Sequence, residues 1–305
     1  MNILVLKGLE KHAANRKDLL KAVRKRGLYS DKYSNGKVII IGGSSSYHGA
    51  PALASMAASN TIAALRTGAG YAITCVPKSI ALAVRKTSPN IIVKALSGKN
   101  LNAKDFETLM SVSRRSNAIV IGPGLGREKG TLKTIARFID YTSRAGKRIV
   151  IDADALYAIS STKRLNKNVL ITPNTHEFGL FYNDKIDQKD FRSRLTAAMT
   201  VANRLNVNVL LKGHETIITD GRRYKTVEAE TPALATMGTG DVLAGIIGGL
   251  AARNKDMFVP AVAGAYLHAS IGDVLYKDNG DHIIATDVVD LIPKTMKRQC
   301  LFGLS

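Results

Sequence analysis

The sequence predicts an α/β protein with a central, mostly parallel sheet and helices on both faces. Short apolar runs that stop at a glycine or a polar residue recur along the 305-residue chain, as is typical of strands buried on both sides. Helix-like stretches separate most of these runs. Consecutive parallel strands need a crossover between them, and the intervening helices supply it.

The elements are predicted in the following order. A polar, basic helix over residues 9–28 comes first. Seven apolar strands follow, at residues 37–43, 71–76, 91–95, 118–122, 148–154, 169–173 and 207–213. Helices are predicted over residues 51–67, 103–115, 131–145 and 188–205. Residues 215–220 and 223–227 flank Gly221 and predict an antiparallel hairpin at one edge.

The remaining segments complete the expected organisation. From Asp241 onward the chain is predicted to be helical, except for a loop near residues 278–282. Because no repeat or Pro/Gly/Ser-rich linker divides the chain, we expect one domain over residues 1–305, with residues 1–36 as an N-terminal helical extension.

The composition excludes several classes of protein. An apolar content of 45% with 22% charged residues excludes wholesale disorder. No segment approaches the roughly 20 uninterrupted apolar residues that span a bilayer, so no membrane contact is expected. Residues 1–10 lack the features of a signal peptide. The two cysteines, Cys75 and Cys300, show no metal-type spacing, and a reducing cytoplasm fits them best.

The net charge of +20 is the least ordinary global property. The basic residues are spread along the chain with few aromatics among them, which is not the pattern of a base-stacking platform. Their densest cluster is Lys17, Lys21, Arg24, Lys25 and Arg26. We interpret the charge as a solvated surface and a field that attracts anionic substrates such as nucleotides. A nucleic-acid partner stays open as the less favoured alternative.

The most informative stretch is Gly-Thr-Gly-Asp at residues 238–241, which leads into an apolar helix. Gly238 and Gly240 lack a Cβ, so the backbone turns tightly and brings its N–H groups close to a ligand. The helix start adds unpaired N–H groups and the positive end of its dipole, which suits a phosphate. Asp241 is placed to take a proton from a hydroxyl that attacks phosphorus. The alternative is a carboxylate that only caps the helix.

Five apolar strands end in glycines or polar residues. In an open parallel sheet the carboxyl ends of the strands line one edge, where ligands bind, so we expect these endings to form one site. They are Gly42-Gly43-Ser44, Gly122-Pro123-Gly124-Leu125-Gly126, Asp152-Ala153-Asp154, Thr172-Pro173-Asn174 and Lys212-Gly213-His214.

The charged residues of these endings each have two interpretations. Lys212 either extends to solvent or contacts a nucleotide phosphate, although its loop is not a Walker phosphate loop. Asp152 and Asp154 either cap the next helix or hold Mg²⁺ directly or through water; no other metal ligand is assigned. His176 and Glu177 are too close in sequence for a convincing metal pair, and Glu177 is interpreted as a helix-start residue.

The ordered set of motifs resembles the nucleotide-dependent NAD(P)H-hydrate dehydratases of the ribokinase-like superfamily. Gly-Thr-Gly-Asp marks the superfamily, whereas the block at residues 42–51 and the Gly-Pro-Gly-Leu-Gly loop are more specific to the dehydratases. The resemblance runs from about Lys37 to the C-terminal helices. The matching segments are residues 42–51, 66–70, 122–126, 152–156, 172–177, 212–213 and 238–245.

The resemblance implies a lyase that repairs a damaged cofactor. Water added across the nicotinamide ring of NADH or NADPH, in the S-form, is removed again, coupled to hydrolysis of ADP in bacterial and archaeal members or ATP in eukaryotic ones. Asp241 would deprotonate the ring hydroxyl, whose oxygen would take the terminal phosphoryl group. Gly238, Thr239 and Gly240 would stabilise the transferring phosphate, and loss of phosphate would restore the ring.

The resemblance also assigns binding residues and partners. The hydrated dinucleotide would be contacted by Ala50, Gly124 or Gly126, Asn174 and Asp241. The adenine nucleotide would be contacted by Lys212, Gly213, His214, Glu215, Thr216 and Gly240. Mg²⁺ is expected with the nucleotide. A homotetramer is expected, and an epimerase, if present, would be a separate protein.

Two residues depart from the family pattern. Asn174 stands where members usually carry His, and an Asn side chain hydrogen-bonds but does not titrate. His176, two residues further on, is expected to face elsewhere. Met237 stands where members usually have Gly, which narrows the conformations of the loop.

Two other functions stay open on the residues alone. One is a ribokinase-like kinase of a hydroxymethylpyrimidine or hydroxyethylthiazole, which would stop at the phosphoester. The other is a binding or regulatory protein without turnover. The dehydratase-type motifs disfavour the first, and the intact Gly-Thr-Gly-Asp disfavours the second.

Overall fold

The computed structural model describes residues 11–24, 27–59, 67, 69–162, 164–229 and 231–301. Nine strands in this part of the chain form one sheet. They are β1 Lys37–Ile41, β2 Tyr71–Pro77, β3 Ile92–Leu96, β4 Ala118–Ile121, β5 Arg148–Ile151, β6 Val169–Ile171, β7 Asn208–Leu211, β8 Glu215–Thr219 and β9 Tyr224–Glu228.

The sheet is mostly parallel, with an antiparallel hairpin at one edge. The strand order is β3-β2-β1-β4-β5-β6-β7-β8-β9. All pairs from β3 through β7 are parallel, whereas β8 runs antiparallel to β7 and to β9. The predicted fold class and edge hairpin are confirmed.

Eleven helices in the described residues cover the sheet. They are α1 Arg16–Ala22, α2 Gly49–Ser59, α3 Lys78–Thr87, α4 Phe106–Arg114, α5 Lys129–Arg144, α6 Ala155–Ala158, α7 Thr175–Phe178, α8 Phe191–Leu205, α9 Thr239–Ala251, α10 Phe258–Asn279 and α11 Ala285–Leu301.

Alternating residues of the central strands pack into two separate cores. The β1 residues Ile39 and Ile41 belong to one apolar core, together with residues of α4, α5 and α8. Val38 and Ile40 belong to the other core, together with residues of α9 and α10. This alternation follows from the two-residue period of a strand and places helices on both faces. Gly248 allows α9 to approach closely, because a Cβ there would lie 2.3 Å from a methyl group of Val120.

The N-terminal helix is shorter than the predicted residues 9–28. It begins after Asn15, whose side chain accepts a hydrogen bond from the Lys17 N–H at 2.9 Å, while Asp18 accepts one from the Asn15 N–H at 3.2 Å. This capping box fixes the start of the helix, and Val23 is extended and ends it. Residues 9, 10, 25 and 26 of the prediction lie outside the described residues.

Other predicted bounds change because local caps decide helix ends. Asp190 caps α8, so that helix begins at residue 191 rather than 188. Residues 103–105 form a 3₁₀ turn before α4, and α5 covers residues 129–144. The α2 helix covers residues 49–59, and residues 60–66 of the predicted helix lie outside the described ones. A break at residues 252–257, not predicted, separates α9 from α10.

The α10 helix is a core helix. It has 22 residues and a mean hydropathy of 1.3, so by length and composition it is apolar enough to cross a membrane, contrary to the expectation that no segment is. However, 72% of its apolar window is buried within the protein. It packs against α1, α9, α11 and β9, which explains its composition.

Candidate active site

The polar endings of the parallel strands meet at one edge of the sheet, as predicted. The loops after β1 and β4 contact each other through a hydrogen bond from the Gly43 N–H to the Pro123 carbonyl at 2.8 Å. Asp152, after β5, accepts a hydrogen bond from the Thr172 hydroxyl at 2.6 Å and one from the Lys212 ammonium at 2.9 Å. Side chains from three neighbouring strand ends therefore meet at a single carboxylate.

The start of α9 lies against this group. Gly238 precedes the helix with a φ of 91°, in the left-handed region that favours glycine. The Thr239 hydroxyl donates to the carbonyls of Leu234 and Thr236 at 2.7 and 2.8 Å, which holds the loop. A Cβ on Gly240 would lie 3.6 Å from the Lys212 ammonium. The first turn of the helix and the lysine therefore face the same space.

Two backbone donors are available at this helix start. The Val242 N–H donates to the Gly238 carbonyl at 3.1 Å. The N–H groups of Gly240 and Asp241 have no acceptor among the described residues. Together with the positive end of the helix dipole, these donors make the start of α9 suited to bind an anion.

The charges of the site shift the acidity of its two central groups. Burial raises the pKa of Asp241 to about 7, the Asp152 carboxylate adds to the rise, and Lys212 opposes it. Burial alone would lower the pKa of Lys212, but the carboxylates of Asp152 and Glu177 outweigh it and raise that pKa above its ordinary value. Asp241 therefore has an acidity suited to taking up a proton near neutral pH, and Lys212 stays charged.

Asp152 and Asp154 both serve as hydrogen-bond acceptors that organise loops. Asp154 accepts from the Gly126 N–H at 2.9 Å and from the Arg127 Nε at 2.8 Å. Among the described residues, no group of three or more His, Cys, Asp or Glu side chains is arranged to hold a metal ion. The two aspartates connect the β4 loop to Lys212 across the carboxyl edge.

Asn174 and Glu177 form a reciprocal cap on α7. The Asn174 Oδ1 accepts from the Glu177 N–H at 2.8 Å, and Glu177 accepts from the Asn174 N–H at 2.8 Å. The helix-start interpretation of Glu177 is confirmed. Asn174, Thr175 and His176 all contribute to the lining of one cavity, and the direction of the His176 side chain stays a prediction.

A cavity of about 770 Å³ lies beside the start of α9. Its lining includes Lys212, Gly213, His214, Thr216 and Gly240 of the predicted nucleotide-binding set, together with apolar residues from β9, the loop at residues 231–236 and α10. The predicted Glu215 does not line it. Successive strand residues face opposite sides, and the buried Glu215 carboxylate instead lies 3.1 Å from the Lys11 ammonium.

The predicted dinucleotide-binding residues form a second group. A Cβ on Gly124 would lie 3.2 Å from the Ala50 Cβ and 2.9 Å from the Tyr47 Cβ, so the three residues are in close proximity. Gly126 is tied to Asp154 by the hydrogen bond described above. Met237, the second departure from the family pattern, is 95% exposed.

Two buried basic residues were missed by the sequence analysis. His268 of α10 lines the cavity, and its Nε2 has no hydrogen-bond partner among the described residues; burial lowers its pKa to about 4. Arg194 of α8 lies beneath Gly213: a Cβ added to Gly213 would be 2.5 Å from the Arg194 Nη2. The Arg194 Nη1 donates a hydrogen bond to the Glu215 carbonyl at 2.8 Å. A His or Arg within a helix that packs on the sheet carries no sequence pattern that distinguishes it from a surface residue.

Comparison with known proteins identifies the family. A family model described as NAD(P)H-hydrate dehydratase matches residues 38–294. The chain is 35% identical to the ADP-dependent (S)-NAD(P)H-hydrate dehydratase of Cenarchaeum symbiosum, over 92% of this chain and 95% of that protein. It is also 35% identical to the bifunctional NAD(P)H-hydrate repair enzyme Nnr of Methanothermobacter thermautotrophicus, over 88% of this chain. It spans about half of that bifunctional relative, 51% of its length.

A solved structure supports the fold. The ADP/ATP-dependent NAD(P)H-hydrate dehydratase of Bacillus subtilis, co-crystallised with ATP and Mg²⁺, matches with a TM-score of 0.79 and 22% identity, over 96% of this chain and 100% of that chain. At this identity the likeness shows the fold alone. The family match over most of the chain and the identity to the Cenarchaeum protein confirm the predicted family: the chain belongs to the NAD(P)H-hydrate dehydratases.

Proposed function

We propose that this chain removes water from the S-form of hydrated NADH or NADPH, with ADP as the phosphoryl donor, and so restores the intact cofactor. The observation that carries the proposal is the Asp241 carboxyl group, whose pKa is about 7 and which adjoins two free N–H groups and Lys212. The name of the Cenarchaeum relative supports both the substrate and the donor.

The residues can carry out the reaction in two steps. Asp241 takes the proton of the ring hydroxyl, and the hydroxyl oxygen bonds to the terminal phosphorus while the bond to the nucleotide's bridging oxygen breaks. ADP leaves as AMP. The N–H groups of Gly240 and Asp241 and the Lys212 ammonium stabilise the charge on the transferring phosphoryl group. Electrons from the ring nitrogen then break the carbon–oxygen bond and expel phosphate, which is a better leaving group than hydroxide. Loss of a proton from the adjacent ring carbon to solvent then forms the carbon–carbon double bond and gives NADH or NADPH.

Mg²⁺ fits the charge of this site. The carboxylates of Asp152, Asp154 and Glu177 all act on Asp241, against the cation Lys212. Mg²⁺ in nucleotide sites is held by one or two carboxylates together with phosphates and water, so Asp152 would hold it with the nucleotide and leave Asp241 free as the base. When bound, the ion would neutralise charge on the phosphates.

The cavity supports the assignment of the two substrates to two sides of Asp241. Its apolar lining from β9 and α10 suits a nucleoside base, and Lys212 and Gly240 lie where the phosphates would reach α9. The group around Ala50, Gly124 and Gly126 is tied to Asp154 and would receive the hydrated dinucleotide.

The test measures three products in one reaction. Hydrated NADH, Mg²⁺ and either ADP or ATP are incubated with the protein, and recovered NADH, nucleotide product and free phosphate are quantified. We expect equal amounts of NADH, AMP and phosphate, with a higher kcat/KM for ADP than for ATP. Accumulation of a phosphorylated dinucleotide without NADH would indicate a kinase and would contradict the proposal.

Two properties of the protein in the cell belong to the same proposal. The free cysteines Cys75 and Cys300 suit a reducing compartment, so we place the enzyme in the cytoplasm. The resemblance alone supports a homotetramer, which sedimentation equilibrium would measure directly.

A further inference from the structure

The fold gathers positive charge at the edge of the sheet opposite the candidate active site. The amino ends of β1, β4, β5 and β6 are neighbours at this edge, and the turn between β8 and β9 lies there too, because β8 is antiparallel to β7. We call the cations contributed by these segments the basic edge. They are Lys37, Arg114, Arg115, Lys147, Arg148, Arg164, Lys167 and Arg222.

Hydrogen bonds fix the position of this row. The Lys147 ammonium donates to the carbonyls of Arg114 and Ser116 at 2.8 and 2.9 Å. The Lys167 ammonium donates to the Val207 carbonyl at 3.3 Å and to the Asp220 carbonyl. From β1 to β8 there are five strand spacings, which makes the row about 24 Å long.

Most of the charge of the basic edge is uncompensated; the Asp220 carboxylate, which pairs with Arg223, acts on Lys167. No described carboxylate forms an ion pair with any of its eight cations. Burial lowers the pKa of Lys147, and the neighbouring charges of Arg148 and Lys37 lower it further. Such mutual repulsion disfavours the free protein and is relieved when an anion binds.

An exposed aromatic pair adjoins the β1 end of the row. The Lys37 ammonium lies 5.7 Å from the centre of the Tyr71 ring. The Tyr33 ring meets Tyr71 edge to face, with 5.9 Å between the ring centres, and Tyr33 is 66% exposed. An exposed ring beside a row of cations is the arrangement that holds a base of a single strand while its phosphates follow the charges.

We propose that the basic edge binds single-stranded nucleic acid, with phosphates along the exposed cations of the row between Arg115 and Arg222 and a base stacked on Tyr33. The linear row matches the repeating charge of a phosphate backbone. A membrane surface would favour exposed aliphatic side chains, and the segments at residues 113–117, 144–148, 164–168 and 220–223 expose no large ones. This binding is independent of the dehydratase reaction at the opposite edge.

Binding is tested with the full chain and a fluorescein-labelled 20-nucleotide oligo(U), by fluorescence anisotropy at several NaCl concentrations. If four to eight cations contact phosphates, log K should fall with log[NaCl] with a slope of about −3 to −6. A 20-base-pair duplex and vesicles of phosphatidylserine and phosphatidylcholine are measured in parallel. Absence of salt-dependent binding to oligo(U), or tighter binding to the duplex or the vesicles, would overturn the proposal.

Matched variants locate the site. Arg115→Gln/Arg164→Gln removes two exposed cations of the basic edge, and Lys129→Gln/Lys133→Gln removes two exposed cations from the start of α5. Loss of two phosphate contacts should weaken binding about 25-fold at 0.1 M salt and reduce the slope by about 1.4, while the control pair changes affinity by less than about twofold. An equal loss in both pairs would overturn the proposal.

A third variant tests the aromatic contact separately. Tyr33→Ala should weaken oligo(U) binding by about fivefold or more, the range of one stacked base, with the salt slope unchanged. The rate of NADH recovery should be the same in this variant and in Arg115→Gln/Arg164→Gln as in the wild type, so a failure of the proposed reaction is distinguishable from a failure of nucleic-acid binding. An unchanged affinity in Tyr33→Ala would contradict base stacking at this position.

Discussion

The raised pKa of Asp241 predicts that this carboxylate destabilises the fold once it ionises. Its pKa is about 7 in the folded chain and 3.8 in an ordinary aspartate. Between these values the folded chain holds a proton that the unfolded chain releases, so this group's contribution to stability decreases as the pH rises from about 4 to about 7. Three pKa units at about 1.4 kcal/mol each give an upper bound of about 4 kcal/mol. Because Asp241 is partly exposed, we expect about 2 kcal/mol.

The Asp241→Asn variant tests this reasoning. An amide has nearly the same shape and does not ionise, so the variant should be more stable than the wild type at pH 8 by about 2 kcal/mol, with about half of that gain or less at pH 5. The free energy of unfolding is measured by urea denaturation at both pH values. Asp140→Asn, an exposed position on α5, serves as control and should change stability by less than about 0.5 kcal/mol. A loss of stability at pH 8, or an equal gain at both pH values, would refute the argument.

Three further substitutions probe the site. Lys212→Met removes the cation that lowers the pKa of Asp241. The pKa of Asp241 should therefore rise, and the acid limb of the pH profile of kcat/KM should move to higher pH. Because the variant also loses a charge that stabilises the transferring phosphoryl group, kcat should fall by about tenfold or more. Gly238→Ala puts a side chain on a residue whose φ is 91°, and its Cβ would lie 2.6 Å from a methyl group of Leu53 in α2. The melting temperature should therefore fall by a few degrees and kcat should fall as well. An unchanged melting temperature would contradict this. Gly213→Ala displaces the Arg194 guanidinium that lies beneath residue 213, so titration calorimetry should show that ADP binds about tenfold more weakly than to the wild type. An unchanged affinity for ADP would contradict this.

The sequence was sufficient for the parts of the fold that depend on periodicity. The runs that became β1, β4 and β5 are apolar at every or nearly every position, as strands covered on both faces must be, and their predicted first residues match the structure. Helix ends were less accurate, because they depend on single side-chain caps such as Asn15 and Asp190. A capping bond depends on local geometry that a hydrophobic pattern does not contain.

For the candidate site, the sequence predicted the location but not the individual contacts. The location followed from parallel strands that end at one edge of the sheet, and the hydrogen bonds that join Asp152, Thr172 and Lys212 agree with it. The hydrogen-bond partner of each side chain could not be predicted from the sequence. Glu215 was assigned to the nucleotide by position alone, and the alternation of β8 turns its carboxylate toward Lys11 instead. Arg194 reaches the site from a helix whose sequence gives no indication of it.

The distribution of charge was the property least accessible to sequence reasoning. The basic residues are separated by many positions along the chain, which argued against a nucleic-acid partner. The parallel topology places Lys37, Arg148 and Lys167 at the same edge of the sheet, at the amino ends of β1, β5 and β6, so residues over 100 positions apart in sequence form one row. Spacing in the chain therefore does not determine spacing on the surface.

The pH dependence of NADH recovery tests the central role of Asp241 most directly. If Asp241 is the base, kcat/KM with ADP should be half-maximal near pH 7, should fall about tenfold for each unit of pH below that, and should be lost in Asp241→Asn while ADP still binds. A rate that stays constant between pH 5 and pH 8, or recovery of NADH by Asp241→Asn at the wild-type rate, would contradict the account.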